Sequence, residues 1–511
     1  MQKNLIIVLD FGSQYSHMIA RRIRDIGVYT LLCSYKLSVS EILKKNPKGI
    51  ILSGGPCSTY HHQSPLILKE IFYLNIPILG ICYGMQMISS LFKGIVKKSI
   101  HKEFGKSCFI IDQKSLLFQN IPRQSNVWMS HMDEVTKVPE TFHVIGHTDS
   151  CSIAAIQHNK KNIYGVQFHP EVKNTKYGIV LFKNFVLTIC QCHPTWILKN
   201  FLQKKIYSIR RRVQKNKVLL GISGGLDSCV TACIIYKSVG SSLYCIFIDT
   251  GFLLEEDQKN IHDLSKKMNF PIKVIDAKKH FLHQLKGIND PEQKRKIIGK
   301  EFIYFFQKES EKIGNVNFLA QGTIYSDIVE SSPMGTLRSP IKSHHNVGGL
   351  PQRMKFKLIE PLKKLFKDEV KRLGKQLGVP KNILYRHPFP GPGLSIRIIG
   401  EVNKRKISIL KKSESILSQE LQKFGIYHLV SQAFIVLLPI KSVGVMGDKR
   451  SYEYVAALRV VNTEDFMTST CSPLPYQFLE KISNRIINEV DGINRMVYDI
   501  TSKPPSTIEW E

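Results

Sequence analysis

Four short apolar runs, Leu5–Leu9, Gly49–Leu52, Ile76–Ile81 and Gly165–Phe168, mark the first 190 residues and alternate with helix-like segments. Strand-like and helical stretches in alternation predict an α/β fold on a mainly parallel sheet. A basic helical stretch at 193–217 follows, with Trp196 and Arg210-Arg211-Arg212. A second α/β pattern then begins, with strands expected near 217–222, 243–249, 272–276 and 316–320. The texture changes again after His387-Pro388-Phe389-Pro390-Gly391-Pro392-Gly393, a proline- and glycine-rich joint. Apolar runs at 433–440 and 454–461 alternate with expected helices at 402–424 and 475–490, the pattern of a small α+β region.

A chain of 511 residues is long enough for about three domains, expected at 5–195, 196–388 and 389–511. Composition adds little beyond a globular class: 43% hydrophobic and 22% charged. The balance of 72 Lys and Arg against 41 Asp and Glu, a net +31, raises the question of nucleic acid. The lysines are scattered, as in Lys44-Lys45, Lys160-Lys161 and Lys411-Lys412, rather than gathered into one patch, so no nucleic-acid partner is expected. Eleven cysteines, an odd number without a C-x-x-C pair, do not build a disulfide framework. The longest uncharged stretch, Ile71 to Phe92, contains Asn75, Pro77, Gly80, Gly84 and Gln86, so it reads as a buried strand and helix and not as a membrane span. The N-terminal apolar run is too short for a signal peptide, and a cytoplasmic location is expected.

Two segments carry chemistry. Ser223-Gly224-Gly225-Leu226-Asp227-Ser228 stands between the apolar run Val218-Leu219-Leu220-Gly221-Ile222 and a helix-like run from Cys229 to Val239. A strand, a glycine turn and a helix start together point backbone N–H groups at an anion, and two hydroxyls add donors. The segment lacks the GK[ST] ending of the ordinary P-loop. It resembles the SGGxDS pyrophosphate loop of the N-type ATP pyrophosphatases, which implies cleavage of ATP between its α and β phosphates.

The other segment is Gly80-Ile81-Cys82-Tyr83-Gly84, a cysteine flanked by glycines at the spacing of a strand-to-helix nucleophile elbow. His169-Pro170-Glu171 offers a base and a carboxylate to orient it. Pro170 disfavours helical geometry at His169, and extended chain would place Glu171 on the same side. Ser53-Gly54-Gly55-Pro56 is a tight turn whose Gly55 N–H, with that of Tyr83, would form an oxyanion hole. With Asp10-Phe11-Gly12-Ser13-Gln14, these pieces resemble the class I glutamine amidotransferases over residues 5–190. The resemblance implies glutamine hydrolysis through a thioester on Cys82.

The whole chain resembles the glutamine-hydrolysing GMP synthase family. The resemblance is carried by Gln321-Gly322-Thr323-Ile324-Tyr325-Ser326-Asp327, the segment Ile341 to Pro351 with His344-His345, the proline-glycine joint, and the tail Thr501 to Glu511. It implies a class I glutamine amidotransferase domain, an adenine-nucleotide α-hydrolase-like (PP-loop) domain, and a small C-terminal α+β dimerisation domain. It further implies substrates glutamine, ATP and xanthosine monophosphate (XMP), with Mg²⁺ accompanying ATP. Ser223, Gly224, Gly225, Leu226, Asp227, Ser228, Cys229, Asp249, Gln321 and Gly322 are thereby expected at the ATP site, with Asp227 toward the metal. Arg295, Lys503, Ile508 and Glu509 are expected at XMP; for Arg295 a solvated basic helix face is the alternative. His344-His345 are expected in a lid loop, since sequence neighbours rarely converge on one ion. The sequence departs from the family's usual pattern at Leu226, where valine is usual, and at Met132, where glycine is common. A homodimer is implied by resemblance alone. A tRNA-modifying thiolase would lack the Cys82, His169 and Glu171 set, and a non-enzymatic basic protein would be missing a catalytic residue.

Overall fold

A computed structural model describes residues 4–13, 15–61, 64–331, 356–463, 466 and 468–511. These form two compact units: residues up to Phe201, and Leu202–Ile328 together with the chain from 356 onward.

The first unit is built on a nine-stranded sheet. Its strands are β1 (Leu5–Asp10), β2 (Tyr29–Ser34), β3 (Gly49–Leu52), β4 (Ile78–Ile81), β5 (Ile95–Ile111), β6 (Gln124–Lys137), β7 (Phe142–Thr148), β8 (Ala155–His158) and β9 (Ile163–Val166), ordered β2-β1-β3-β4-β9-β8-β7-β5-β6. The expectation of a mainly parallel sheet holds for half of it. β2, β1, β3, β4 and β9 pair in parallel, whereas β9, β8, β7, β5 and β6 pair antiparallel. The physical reason is visible in burial. Every residue of β1, β3, β4 and β9 is buried, which demands continuous apolar sequence. Along much of β6 buried positions alternate with partly exposed ones, the pattern of a sheet with one wet face, and such a strand has no apolar run to betray it. Strand β9 also ends at Val166, two residues short of the expected Phe168.

Register sets up the chemistry. Leu9 pairs with Leu52, Leu52 with Gly80, and Ile81 with Val166. The carboxyl ends of β1, β3, β4 and β9 are therefore level, and the segments leaving them, 11–13, 53–56, 82–83 and 167–171, emerge on one edge of the sheet.

The second unit contains a five-stranded, wholly parallel sheet, β12-β11-β10-β13-β14, made of β10 (Lys217–Gly221), β11 (Leu243–Asp249), β12 (Ile272–Asp276), β13 (Val316–Ala320) and β14 (Lys357–Ile359). The chain leaves β10 to build β11 and β12 on one side, then returns to add β13 on the other. The order reverses between β10 and β13, and crevices at such switch points are where open α/β sheets bind ligands. A second, mostly antiparallel sheet holds β15 (Gln432–Met446), β16 (Lys449–Asn462) and β17 (Thr470–Cys471), with β18 (Ile493–Asp499) parallel to β16. Helices Lys404–Lys423 and Tyr476–Glu489 match the expected 402–424 and 475–490. One apolar cluster joins Leu219, Ile246 and Phe252 to Leu417, Ile435 and Phe478. The proline-glycine joint thus lies inside this unit, where Gly393 takes φ +67° and a Cβ there would sit 2.4 Å from the Phe252 carbonyl oxygen.

Among the described residues no helix is long and apolar enough to cross a membrane, and all eleven cysteines are free.

Candidate active sites

Cys82 occupies the turn between β4 and the helix Tyr83–Leu91 with φ 51° and ψ −109°. A side chain other than glycine in that region is strained, and such strain concentrates where a group must be held exposed to its chemistry. The flanking glycines are needed for space. A Cβ on Gly80 would lie 2.6 Å from the Gly84 carbonyl group, and one on Gly84 2.4 Å from the Leu52 carbonyl oxygen. The Cys82 backbone is fixed by its N–H donating to the Val166 carbonyl at 2.7 Å. Its sulfur is 3.8 Å from the Ser130 carbonyl oxygen and takes a 3.5 Å contact from the Gln167 amide nitrogen.

His169 is held at both ends. Its N–H donates to the Trp128 carbonyl at 2.9 Å, and its own carbonyl accepts from the Thr175 hydroxyl at 2.6 Å. Nδ1 pairs with Glu171 Oε1 at 2.8 Å, both side chains being buried. That contact leaves Nε2 as the nitrogen available to Cys82, whose neighbouring thiol also raises the ring's affinity for a proton. Extended chain is not what brings His169 and Glu171 together: β9 has ended, and Pro170 and Glu171 lie in a turn. Burial disfavours the imidazolium, but the charge of Glu171 and the Cys82 contact outweigh it and hold the ring well above its ordinary value. The sign follows from linkage. The contribution of this pair to stability is fully present below the unfolded histidine value and is lost as pH rises through the raised folded one.

The same shift sets an activity prediction. With Glu171→Gln the charge that keeps His169 protonated is gone, so the alkaline limb of the pH profile for chemistry at Cys82 should move to lower pH. kcat/KM should fall on the order of 100-fold. An unmoved alkaline limb would show that Glu171 does not tune the base.

Gly55 packs beside the elbow: a Cβ there would meet the Phe11 carbonyl oxygen at 2.8 Å and the Tyr83 ring at 3.4 Å. Among the described residues neither the Gly55 nor the Tyr83 N–H has an internal acceptor. The opening turn supports this loop, since the Ser53 hydroxyl accepts from the Phe11 N–H at 3.0 Å and donates to the Gly54 carbonyl at 2.8 Å. Of that turn, Gln14 lies outside the described residues. Met132 is exposed on β6. Gln167 and Ser130, which touch the sulfur, carry no local signature that sequence reading could use.

In the second unit the helix Leu226–Val239 starts three residues earlier than expected, with Gly225 as its N-cap and Gly224 at φ 77°. The Ser223 and Ser228 hydroxyls are 3.1 Å apart, and Ser228 Oγ accepts from the Ser223 N–H at 3.2 Å, closing the loop on itself. Asp227 Oδ2 pairs with Lys367 at 2.6 Å, while its Oδ1 is buried with no partner. A hard carboxylate oxygen left unsatisfied beside the serine-glycine loop fits Mg²⁺, which binds through one or two carboxylates together with substrate phosphates. Gly322, at the end of β13, faces the loop closely: a Cβ there would lie 3.0 Å from the Asp227 carbonyl carbon. Gln321 Oε1 and Thr323 Oγ1 are likewise buried without partners. Asp249, ending β11, already bonds Lys278 at 3.0 Å, the Gly251 N–H at 3.0 Å and the Gln258 amide. Two expected loop residues turn inward. Leu226 packs 3.4 Å from where a Gly374 Cβ would be. The Cys229 side chain is fully buried, and its N–H is spent on the Gly225 carbonyl at 3.1 Å. Burial pushes the Cys229 thiol up, and both side chains are buried instead of being presented at the loop's surface. Sequence reading missed Lys367 and also Arg386, whose guanidinium lies 3.8 Å from where a Gly224 Cβ would be.

The C-terminal tail folds back onto its own unit. Arg295 donates to the Glu511 carbonyl at 2.5 Å, and the buried Lys294 holds the Glu511 carboxylate at 2.7 Å, so Arg295 is not on a freely solvated face. Glu509 receives two bonds from Arg397, at 2.9 and 3.1 Å, and one from Gln432 at 2.7 Å. Ile508 is buried with Phe434, Val436, Ala457 and Val461. Lys503 sits at the far end of the tail with its ammonium on the Phe466 carbonyl at 2.7 Å. The segment 341–351, with His344-His345, lies outside the described residues.

Comparison with known proteins adds three family matches: "Glutamine amidotransferase class-I" over residues 7–189, "NAD synthase" over 197–298 and "GMP synthase C terminal domain" over 419–510. Proteins named "GMP synthase [glutamine-hydrolyzing]" from Fusobacterium nucleatum and Borreliella burgdorferi are 52% and 53% identical, each aligning over 100% of both chains. One from Aquifex aeolicus is 50% identical, again over 100% of both.

Proposed function

Since the chain belongs to the family of glutamine-hydrolysing GMP synthases, and so makes GMP in a glutamine-dependent reaction, we propose which of its residues carry each step. The observation that carries the assignment is the pairing in one chain of a left-handed cysteine elbow against a buried His169–Glu171 pair with a serine-glycine loop at a strand-order switch.

In the first unit Cys82 Sγ attacks the side-chain amide carbon of glutamine, and the Gly55 and Tyr83 N–H groups take the charge that develops on the amide oxygen. His169 gives its proton to the departing nitrogen, so ammonia leaves and a glutamyl thioester remains on Cys82. His169, now neutral, takes a proton from water, which attacks the thioester and releases glutamate. Glu171 holds the ring in one orientation throughout.

In the second unit Ser223, Gly224, Gly225 and Ser228 hold the β and γ phosphates of ATP while the purine carbonyl oxygen of XMP attacks the α phosphorus. The bond to pyrophosphate breaks, and the oxygen becomes part of an AMP leaving group. Ammonia then adds at that carbon and AMP departs with the oxygen, leaving GMP. Gln321, Gly322 and Asp249 line the nucleotide's side of the crevice. Asp227 would hold Mg²⁺, which supplies neutralisation of phosphate charge when bound. Arg295, Lys503, Ile508 and Glu509 take XMP, the cations suiting its phosphate and the carboxylate its N–H donors. Glu509→Gln should raise the KM for XMP on the order of 10- to 100-fold, as expected for a lost charged hydrogen bond, and change that for ATP little. Equal shifts for both substrates would remove Glu509 from the XMP site.

The enzyme acts as a homodimer through its C-terminal region. Ile440, Val443, Val445 and Tyr452 on the β15–β16 hairpin are exposed apolar residues that a second copy would cover. Sedimentation of the full chain at the mass of a single copy would contradict this.

A further inference from the structure

Behind the cysteine elbow, on the other half of the first sheet, three side chains of different kinds converge. Glu103 on β5 and His131 on β6 are direct cross-strand partners, and Cys151 follows β7. All three are buried, and one ligating atom from each lies within 4.8 Å of the others. We propose that Glu103, His131 and Cys151 form a binding site for a borderline divalent cation of the Zn²⁺ class, separate from the catalytic cysteine.

The surroundings are those of a metal site's supporting shell. Histidines that bind metals usually donate their other ring N–H to a carbonyl or carboxylate, and ligating carboxylates are themselves hydrogen-bonded. His131 Nδ1 lies 3.0 Å from the Asp133 carbonyl oxygen, an acceptor only, so this nitrogen carries the hydrogen. The Asp133 carbonyl is fixed from its other side by Gln86 at 2.7 Å. Nε2 stands 3.1 Å from Glu103 Oε2, so the two atoms are already side by side where a proton or a metal ion would join them. The other Glu103 oxygen accepts from Ser107 and Thr148 at 3.1 Å each and from Ser150 at 2.5 Å, leaving Oε2 as the outward ligand. The Cys151 backbone is tied to Thr148 by two bonds, its N–H to Oγ1 at 3.0 Å and its carbonyl from the Thr148 N–H at 2.9 Å, which fixes the chain that carries the thiol.

Ligand type selects the ion. Imidazole and thiolate exclude Mg²⁺ and Ca²⁺ and suit Zn²⁺ or its spectroscopic substitute Co²⁺. At bond lengths of about 2.0–2.3 Å, tetrahedral ligands stand roughly 3.3–3.8 Å apart, within reach of the observed cluster. Three protein ligands leave a fourth position for water. Binding displaces the thiol proton of Cys151 to solvent. His131 follows Ser130, whose carbonyl faces Cys82 Sγ, so an ion here would stiffen the strand opposite the nucleophile.

The test is Co²⁺ titration of the metal-stripped full chain, read by the sulfur-to-cobalt charge-transfer band, with Zn²⁺ competition for stoichiometry. The expected result is one ion per chain, with the band unchanged in Cys82→Ala and lost in Cys151→Ser. Glu103→Gln, which keeps the thiol, should retain the band with affinity weakened on the order of 10- to 100-fold. A band that survives Cys151→Ser, or that vanishes with Cys82→Ala, places the ion elsewhere and overturns the proposal. So does a chain that binds no ion, which would leave Glu103 and His131 as a buried ion pair.

Discussion

Cys82→Ala should lower GMP formation from glutamine roughly ten-thousand-fold or more, the scale on which loss of a covalent nucleophile is felt. Added ammonium salt should still support synthesis at near the parent rate. The asymmetry follows from where the sulfur sits. Cys82 lies at the end of β4 in the first unit, with Gln167, Ser130 and His169 around it, while the serine-glycine loop belongs to the second unit. Alanine has the same backbone restrictions as cysteine at φ 51°, so the substitution adds no new strain. Loss of both activities in a folded variant would contradict the assignment of two separate chemistries. Glutamine-driven and ammonia-driven rates measured side by side on the same preparation decide it.

Asp227→Ala should behave in the opposite way and stop synthesis from either nitrogen source, on the order of 1000-fold. Its Oδ1 is buried and unpartnered, a costly arrangement that the proposed cation would relieve. The other oxygen pairs with Lys367, whose side chain is 46% exposed, and exposed pairs add at most about 1 kcal/mol to stability. The variant should therefore fold, and its defect should be one of catalysis. Pyrophosphate release in the presence of XMP and ATP, with ammonium salt as nitrogen source, is the readout. Normal release would remove Asp227 from the ATP site.

What could be read from sequence follows from burial. Strands β11, β12 and β13 match the expected 243–249, 272–276 and 316–320; β11 is buried along almost its whole length and so reads as a continuous apolar run, whereas β12, with no fully buried residue, is marked by its β-branched Ile272, Val274 and Ile275. β6 escaped because its burial alternates along the strand. Chemistry was legible where it is local: the elbow at Cys82, the His169–Glu171 step and the Ser223–Ser228 loop each fit within a few residues. It was illegible where the partner is distant. Lys367 reaches Asp227 across 140 residues and Arg397 reaches Glu509 across 112, and neither is marked by its neighbours in sequence. The tail is a similar case. The buried Arg459 holds the Thr501 and Thr507 carbonyls at 2.6 and 3.1 Å, fixing the segment that carries Lys503, Ile508 and Glu509, yet in sequence it is one arginine in a strand.

The most direct measurement follows nitrogen from one substrate to the other. The full chain is incubated with XMP, ATP, Mg²⁺ and glutamine labelled at its side-chain amide nitrogen, and the nucleotide product is isolated. The label should appear in the exocyclic amino group of GMP, with AMP, pyrophosphate and glutamate formed alongside. Glutamate without GMP, or GMP without label, would contradict the account.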